Sequence, residues 1–197
     1  MSTIAAISIF YGVIIIMFTA VQWIIIDFLG PFLVGPLLLC LWSGFLILLP
    51  GSIIYFIFQF NKNIKKACLP LLINVFTILI LVFVPFTAIW LNIEFRLNKN
   101  AYDEVIKMVE NGELQPNSIG LTRLPPEYRR ISRGGDIVVD KQDHVTSVFF
   151  YTYRGVLDNF SGYMYRSDNS FPPPDFMGGD WVQVERKQPK WFFCASK

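Results

Sequence analysis

Apolar residues fill the first half of the chain almost without interruption and alternate with polar ones through the second. Three apolar runs stand out, at about residues 4–26, 36–60 and 69–91. The last is broken only by Pro70, Asn74, Thr77, Pro85 and Thr87 and carries no charge. At about 1.5 Å of rise per residue, a helix over each run reaches across a hydrocarbon core about 30 Å thick. The pattern predicts three transmembrane helices. The first run lacks a basic leading segment and a small-residue cleavage site, so it reads as a retained span rather than a cleaved signal. Trp23 and Trp42 suit the interfaces. Asp27 reads as an acid at the water's edge rather than a buried ion-handling carboxylate. Gly30, Pro31, Gly35 and Pro36 predict a tight connection, and Pro50-Gly51 a kink inside the second span.

From Asn100 the period changes. Tyr102, Val105, Ile106 and Val109 recur at helical spacing, Asp103 and Glu104 favour the first turn, and Gly112 is a natural stop. A short amphipathic helix over Ala101–Asn111, capped by Asn100, is expected. Gln115 to Arg133, punctuated by Pro116, Pro125 and Pro126, reads as irregular. Runs rich in β-branched and aromatic residues then follow, at Asp136–Asp140, Val145–Tyr153, Phe160–Arg166, Trp181–Arg186 and Trp191–Ala195. The fold class is a membrane domain of three transmembrane helices (residues 1–97) plus a C-terminal α+β domain (98–197). In the latter, one helix precedes a four- or five-stranded antiparallel meander.

Charge sharpens this division. Of seventeen basic and fifteen acidic residues, five and two lie before Asn100, leaving twelve and thirteen in the second half. That near balance excludes a nucleic-acid binder, which needs a basic surplus on one face. Lys62, Lys65 and Lys66 form the basic loop between spans and by the positive-inside rule face the cytoplasm. Arg96 and Lys99, beyond the third span, weigh against this by two charges to three. The expectation is a multi-pass plasma (inner) membrane protein with its amino terminus inside and its C-terminal domain outside the cytoplasm.

Catalytic chemistry finds no foothold. His144 sits in a polar turn without a serine or cysteine partner at recognisable spacing, and one histidine excludes the ordinary zinc spacings. Arg133-Gly134-Gly135 precedes a strand and lacks the lysine and hydroxyl of a P-loop. Asp136, Asp140, Asp143, Asp158, Asp168 and Asp175 fall at turns or strand ends, but none is spaced as a calcium loop. Cys194 is the one cysteine of the second half, so that domain closes no internal disulfide, and its Cys-Ala-Ser-Lys ending is not a prenylation box. It reads as a buried strand residue. Asn159-Phe160-Ser161 matches a glycosylation sequon that matters only in a eukaryotic secretory route. No cofactor, metal or enzymatic activity is expected.

Aromatic and arginine residues carry the binding expectation. Phe149, Tyr151 and Tyr153 share one strand face, Val148 and Phe150 the other, so one face is core and the other is covered by the helix, a loop or a partner. The expected binding surface gathers Arg154, Asp158 and Asn159 with Tyr163 and Tyr165, since aromatic-plus-arginine groups dominate interfaces. The competing reading makes Arg154 and Asp158 a turn-stapling ion pair. Arg123, Arg129, Arg130 and Arg133 form the densest basic cluster, either a membrane surface for anionic headgroups or a solvated irregular stretch. The functional expectation is an integral membrane protein in the lipid bilayer that presents an extracytoplasmic domain to a membrane or extracytoplasmic protein partner. The alternative is an accessory subunit of a larger transporter or translocation complex.

Overall fold

The structure is a computed structural model describing residues 2–117, 120–142, 144–155, 159–174, 176–178 and 180–196, with the backbone alone at residues 27, 28 and 31. Asp143, Asp158 and Asp175, and the expected edge position of the Asp27 carboxylate, therefore lie outside the described residues and atoms. The chain divides into two compact units, Met1–Phe95 and Arg96–Lys197.

The first unit holds helices α1 (Thr3–Leu29), α2 (Pro31–Gln59) and α3 (Ile64–Phe83). Ser2 caps α1 by accepting from Ala5 N at 3.3 Å, and Asn63 caps α3 by accepting from Lys66 N at 3.0 Å. Gly30 alone separates α1 from α2, at φ +79°, so the connection expected over residues 30–36 shrinks to one residue. Pro31 occupies the first turn of α2, where its missing N–H is no loss.

The third apolar run is not one helix. Val84 is extended (φ −85°, ψ 116°) because the residue before a proline is pushed out of the helical region by the Pro85 ring. Helix α3 stops at Phe83, and α4 (Phe86–Glu110) begins just past Pro85. The amphipathic helix expected over Ala101–Asn111 is the last part of α4. Asn100 lies inside it rather than at its cap.

Three helices, Thr3–Ile26, Phe32–Gln59 and Ile64–Phe83, are long and apolar enough to cross a membrane. Their packing is inverted relative to a water-soluble bundle. The buried positions carry Ala5, Ser8, Gly12 and Ile15 on α1, Val34, Phe45 and Ser52 on α2, and Ala67, Pro70, Asn74 and Thr77 on α3. On α1 and α3 these recur at three- and four-residue spacing, the seam of closely packed helices. Small residues let the backbones approach: a Cβ on Gly12 would come within 2.6 Å of Thr77 Oγ1. Meanwhile Phe10, Phe32, Leu39, Ile47, Phe58 and Val82 point outward and stay exposed.

Among the described residues the second unit holds the end of α4 and an antiparallel sheet of six strands with the order β1-β2-β3-β4-β6-β5. Its strands are β1 (Leu121–Arg123), β2 (Asp136–Gln142), β3 (Val145–Arg154), β4 (Phe160–Arg166), β5 (Trp181–Gln188) and β6 (Trp191–Ser196). Two departures from the expected meander have physical reasons. Strand β1 lies in the stretch read as irregular: three residues between prolines carry no local signal, and pairing with β2 creates the strand. Strand β6 inserts between β4 and β5 because Trp191, Phe192, Phe193 and Cys194 are apolar on both faces and buried, whereas Gln183, Glu185 and Arg186 suit an edge.

Both faces of the sheet are covered. Register aligns Ile137, Phe150, Tyr163 and Phe193 in one cross-strand row and Val139, Val148, Tyr165 and Trp191 in the next. Tyr102 of α4 packs its ring on Phe150, Tyr163 and Trp191 of this face. Lys141 Nζ donates to Val109 O at 2.7 Å and the Tyr165 hydroxyl to Glu110 Oε1 at 3.2 Å, fastening the helix to β2 and β4. The opposite face carries Val138, Phe149, Tyr151, Met164, Phe192 and Cys194, closed by Phe176 from the loop before β5 and by Trp181. Gly162 is needed there for closeness: a Cβ would fall 2.0 Å from Phe150 O and 2.7 Å from the Phe149 ring.

Candidate anion-binding surface

At the open end of the β2–β3 hairpin the chain makes two short 3-10 turns, Pro126–Ile131 and Arg133–Gly135, before entering β2. Ser132 anchors the junction. Its hydroxyl donates to Asp136 O, while Oγ accepts from Tyr151 N at 3.0 Å in a buried setting. Gly134 (φ 83°, ψ −7°) and Gly135 (φ 73°) both occupy the left-handed region, which only glycine enters without strain. This fixed turn gathers arginines from three parts of the chain.

Arg123 Nη1 donates to Gly134 O at 2.5 Å and to Asp136 Oδ1 at 2.9 Å. Arg154 Nη1 lies 3.8 Å from the other oxygen, Oδ2, and its guanidinium stacks 4.4 Å above the Tyr151 ring. Arg129 Nε donates to Leu124 O at 3.3 Å. A Cβ built on Gly135 would touch both Arg129 Cγ (3.2 Å) and Arg123 Cζ (3.5 Å), and one on Gly134 would sit 3.0 Å from Arg154 Nη1. Arg123, Arg129 and Arg154 thus meet around one bare turn, and all three remain exposed. Arg130 is exposed, and Arg133 Nε donates to Thr152 O at 3.1 Å.

Neighbouring phenols stay protonated well into alkali. The Tyr128 hydroxyl donates to Glu104 Oε2 at 2.6 Å, and this hydrogen bond to a carboxylate raises its pKa. Burial raises that of Tyr151, against the opposing pull of the Arg154 charge. Neither supplies a base near neutral pH. Among the described residues no three His, Cys, Asp or Glu side chains come together as a metal would need. Comparison of the chain with models of known protein families, with curated proteins and with solved structures finds no match.

The expected grouping around Arg154 is partly dismantled. Tyr163 is fully buried against Tyr102 and Phe193, and Tyr165 is buried against Trp191 with its pKa pushed up to about 12 by burial and then by Glu110. Both face the layer beneath α4 and are core, not surface, because their alternation matches the helix-covered face. Asn159 is exposed and its carbonyl accepts from Gly155 N at 2.8 Å, so it stays beside Arg154. Asp158 lies outside the described residues, and with it the expected ion pair. Cys194 is buried as a strand residue, its thiol pushed up to about 12 by burial.

What replaces the tyrosines is the Arg123 cluster, brought together by the pairing of β2 with β3. Each pair in the β2–β3 hairpin, from Gln142 with Val145 to Ile137 with Phe150, keeps the same register. Continued without a shift, it sets Arg154 opposite residue 133. The strand pairing thus returns the later arginine toward the earlier cluster.

Proposed function

We propose that this chain is a membrane protein whose C-terminal sheet unit is a recognition module for an anionic partner. The membrane reading is supported by the inverted bundle. In water, outward phenylalanines and leucines over an α1–α3 seam made mostly of Ala, Ser, Gly, Asn and Thr would forfeit hydrophobic driving force, whereas in lipid small residues at the helix seam are the normal packing. With Lys62, Lys65 and Lys66 in the cytoplasm, the sheet unit lies outside it.

The observation that carries the recognition reading is the meeting of Arg123, Arg129 and Arg154 around the Gly134-Gly135 turn, with one carboxylate, Asp136, bridging two of them. Guanidiniums held against carbonyls and a ring lose little freedom on binding, so a charged patch becomes a preformed one.

The full-length chain in neutral detergent is applied to resins bearing carboxylate, sulfate or phosphate groups. Retention on at least one of them, lost in the Arg123→Ala/Arg154→Ala variant, is expected. Equal retention of that variant on all three overturns the recognition reading. In a background without native cysteines, Asn63→Cys should resist an impermeant thiol reagent on intact cells while Asn117→Cys reacts. The reverse pattern overturns the orientation.

A further inference from the structure

We propose that Arg123, Arg129 and Arg154 form a binding site for a doubly charged phosphate group, a phosphomonoester on a small molecule or a lipid headgroup. This rests on reading the cluster as the recognition surface and names what it recognises. Three guanidiniums against the Asp136 carboxylate leave a local surplus of two positive charges. A phosphomonoester carries about −1.5 to −2 at pH 7 and neutralises that surplus, which a single carboxylate or a monoanion does not.

The donor type points the same way. Residues 112–140 contain Arg123, Arg129, Arg130 and Arg133 and no lysine. The planar fork of arginine matches two phosphate oxygens at once, while lysine offers a point charge. Asp136 occupies one nitrogen of each fork at most: Arg123 Nη1 lies 2.9 Å from one of its oxygens and Arg154 Nη1 3.8 Å from the other. Each guanidinium has five N–H donors, so one carboxylate engages only part of the set.

The turn also leaves room. Gly134 is exposed and presents no side chain, and any Cβ there would press on Arg154 Nη1. An oxyanion therefore reaches the arginines across bare backbone. The site is held from behind by contacts it does not need for the ligand: Arg154 on Tyr151, Arg129 on Leu124 O and Arg123 on Gly134 O.

Charged and titratable neighbours come from every packed element: Asp136 on β2, Tyr151 on β3, Glu127, Tyr128, Arg130 and Arg133 on the 3-10 turns, and Glu104 on α4. Sulfate separates their titration from that of the ligand. It keeps the same double charge throughout, so any change in the protein moves sulfate and phosphate alike. A phosphomonoester, unlike sulfate, gains its second charge near pH 6.

The experiment is calorimetric titration of the full-length chain in neutral detergent at fixed ionic strength. The probes are inorganic phosphate, phenyl phosphate, short-chain phosphatidic acid, sulfate and hexaglutamate, between pH 5 and 7.5. The three phosphate probes should tighten relative to sulfate as pH rises. Arg123→Gln and Arg154→Gln should each weaken them by about tenfold or more. Arg154→Lys, which keeps the charge but loses the fork, should weaken them too, and Arg186→Gln on β5 should leave them unchanged. Thermal midpoints of the variants must stay near that of the parent chain, and Arg154→Lys guards against a variant that fails to fold. Tighter phosphatidic acid than phenyl phosphate names a headgroup source, the reverse a soluble one, and both uphold the assignment. A phosphate-to-sulfate ratio flat with pH, or hexaglutamate binding more tightly than phosphate, overturns the phosphate assignment and leaves the recognition surface standing. No arginine-dependent binding of any anion overturns both.

Discussion

The rings of Tyr102 and Phe150 meet at 64° with their centroids 4.8 Å apart, joining α4 to the middle of the sheet. Tyr102 is fully buried and also packs on Tyr163 and Trp191, at 5.7 and 5.5 Å. Truncating such an aromatic leaves a cavity that the sheet cannot fill by collapse. Tyr102→Ala should cost about 3–5 kcal/mol and uncouple α4 from the sheet. Thermal unfolding of the detergent-solubilised chain, followed in the β-region of circular dichroism, checks this. A midpoint unchanged within a degree would mean that the helix does not depend on this contact.

Gly162 gives the opposite kind of change. Its missing Cβ is filled by Phe149 from the face and by Phe150 O from the neighbouring strand. Gly162→Ala must separate β3 from β4 or drive the Phe149 ring off its position, at a cost of about 1–3 kcal/mol. The same substitution at Gly51, where no atom of the described residues lies within 4 Å of the added methyl, is the control and should be silent in the sheet signal.

Acid should weaken the corner after β4. Arg166 forks onto Asp168, with Nε–Oδ1 and Nη2–Oδ2 both at 3.2 Å, and its hydrogen bonds hold the carboxyl down to about 2, against 3.8 for an unperturbed group. The folded chain binds this proton less readily than the unfolded one. The pair therefore stabilises the fold above about pH 4 and loses that contribution as pH falls toward 2. For a pair at the surface the size is up to about 1 kcal/mol. Asp168→Asn should flatten part of the fall in thermal midpoint between pH 4 and 2, and an unaltered profile would assign the acid sensitivity elsewhere.

Inside the first unit, both amide atoms of Asn74 are buried without a hydrogen-bond partner among the described residues. A buried unsatisfied polar group costs about 1–3 kcal/mol. Asn74→Leu, of similar size, should therefore raise the unfolding midpoint in detergent rather than lower it. A lowered midpoint would show that the amide is satisfied in the membrane-like state.

Several features were legible before any tertiary contact was known. Uncharged runs longer than a bilayer and alternating strands such as Val145–Tyr153 are local properties, set within a few residues by periodicity and backbone sterics. The bareness of the Gly134-Gly135 turn was legible for the same reason. The two faces of β3 were legible as well, but not what would cover them.

Tertiary structure decided the rest. Which strand lies beside which depends on the burial that each gains against distant partners, and this put β6 in the interior and β5 at the edge. The three residues of β1 became a strand only because β2 offered free backbone groups. Tyr163 and Tyr165 look like a surface along the chain, yet become core once α4 lies over their face. Arg154 joins Arg123 and Arg129 because antiparallel pairing returns β3 to the start of β2. Side-chain alternation is written in neighbouring residues, but exposure is a property of what packs on each face, and that is supplied by residues far away in sequence.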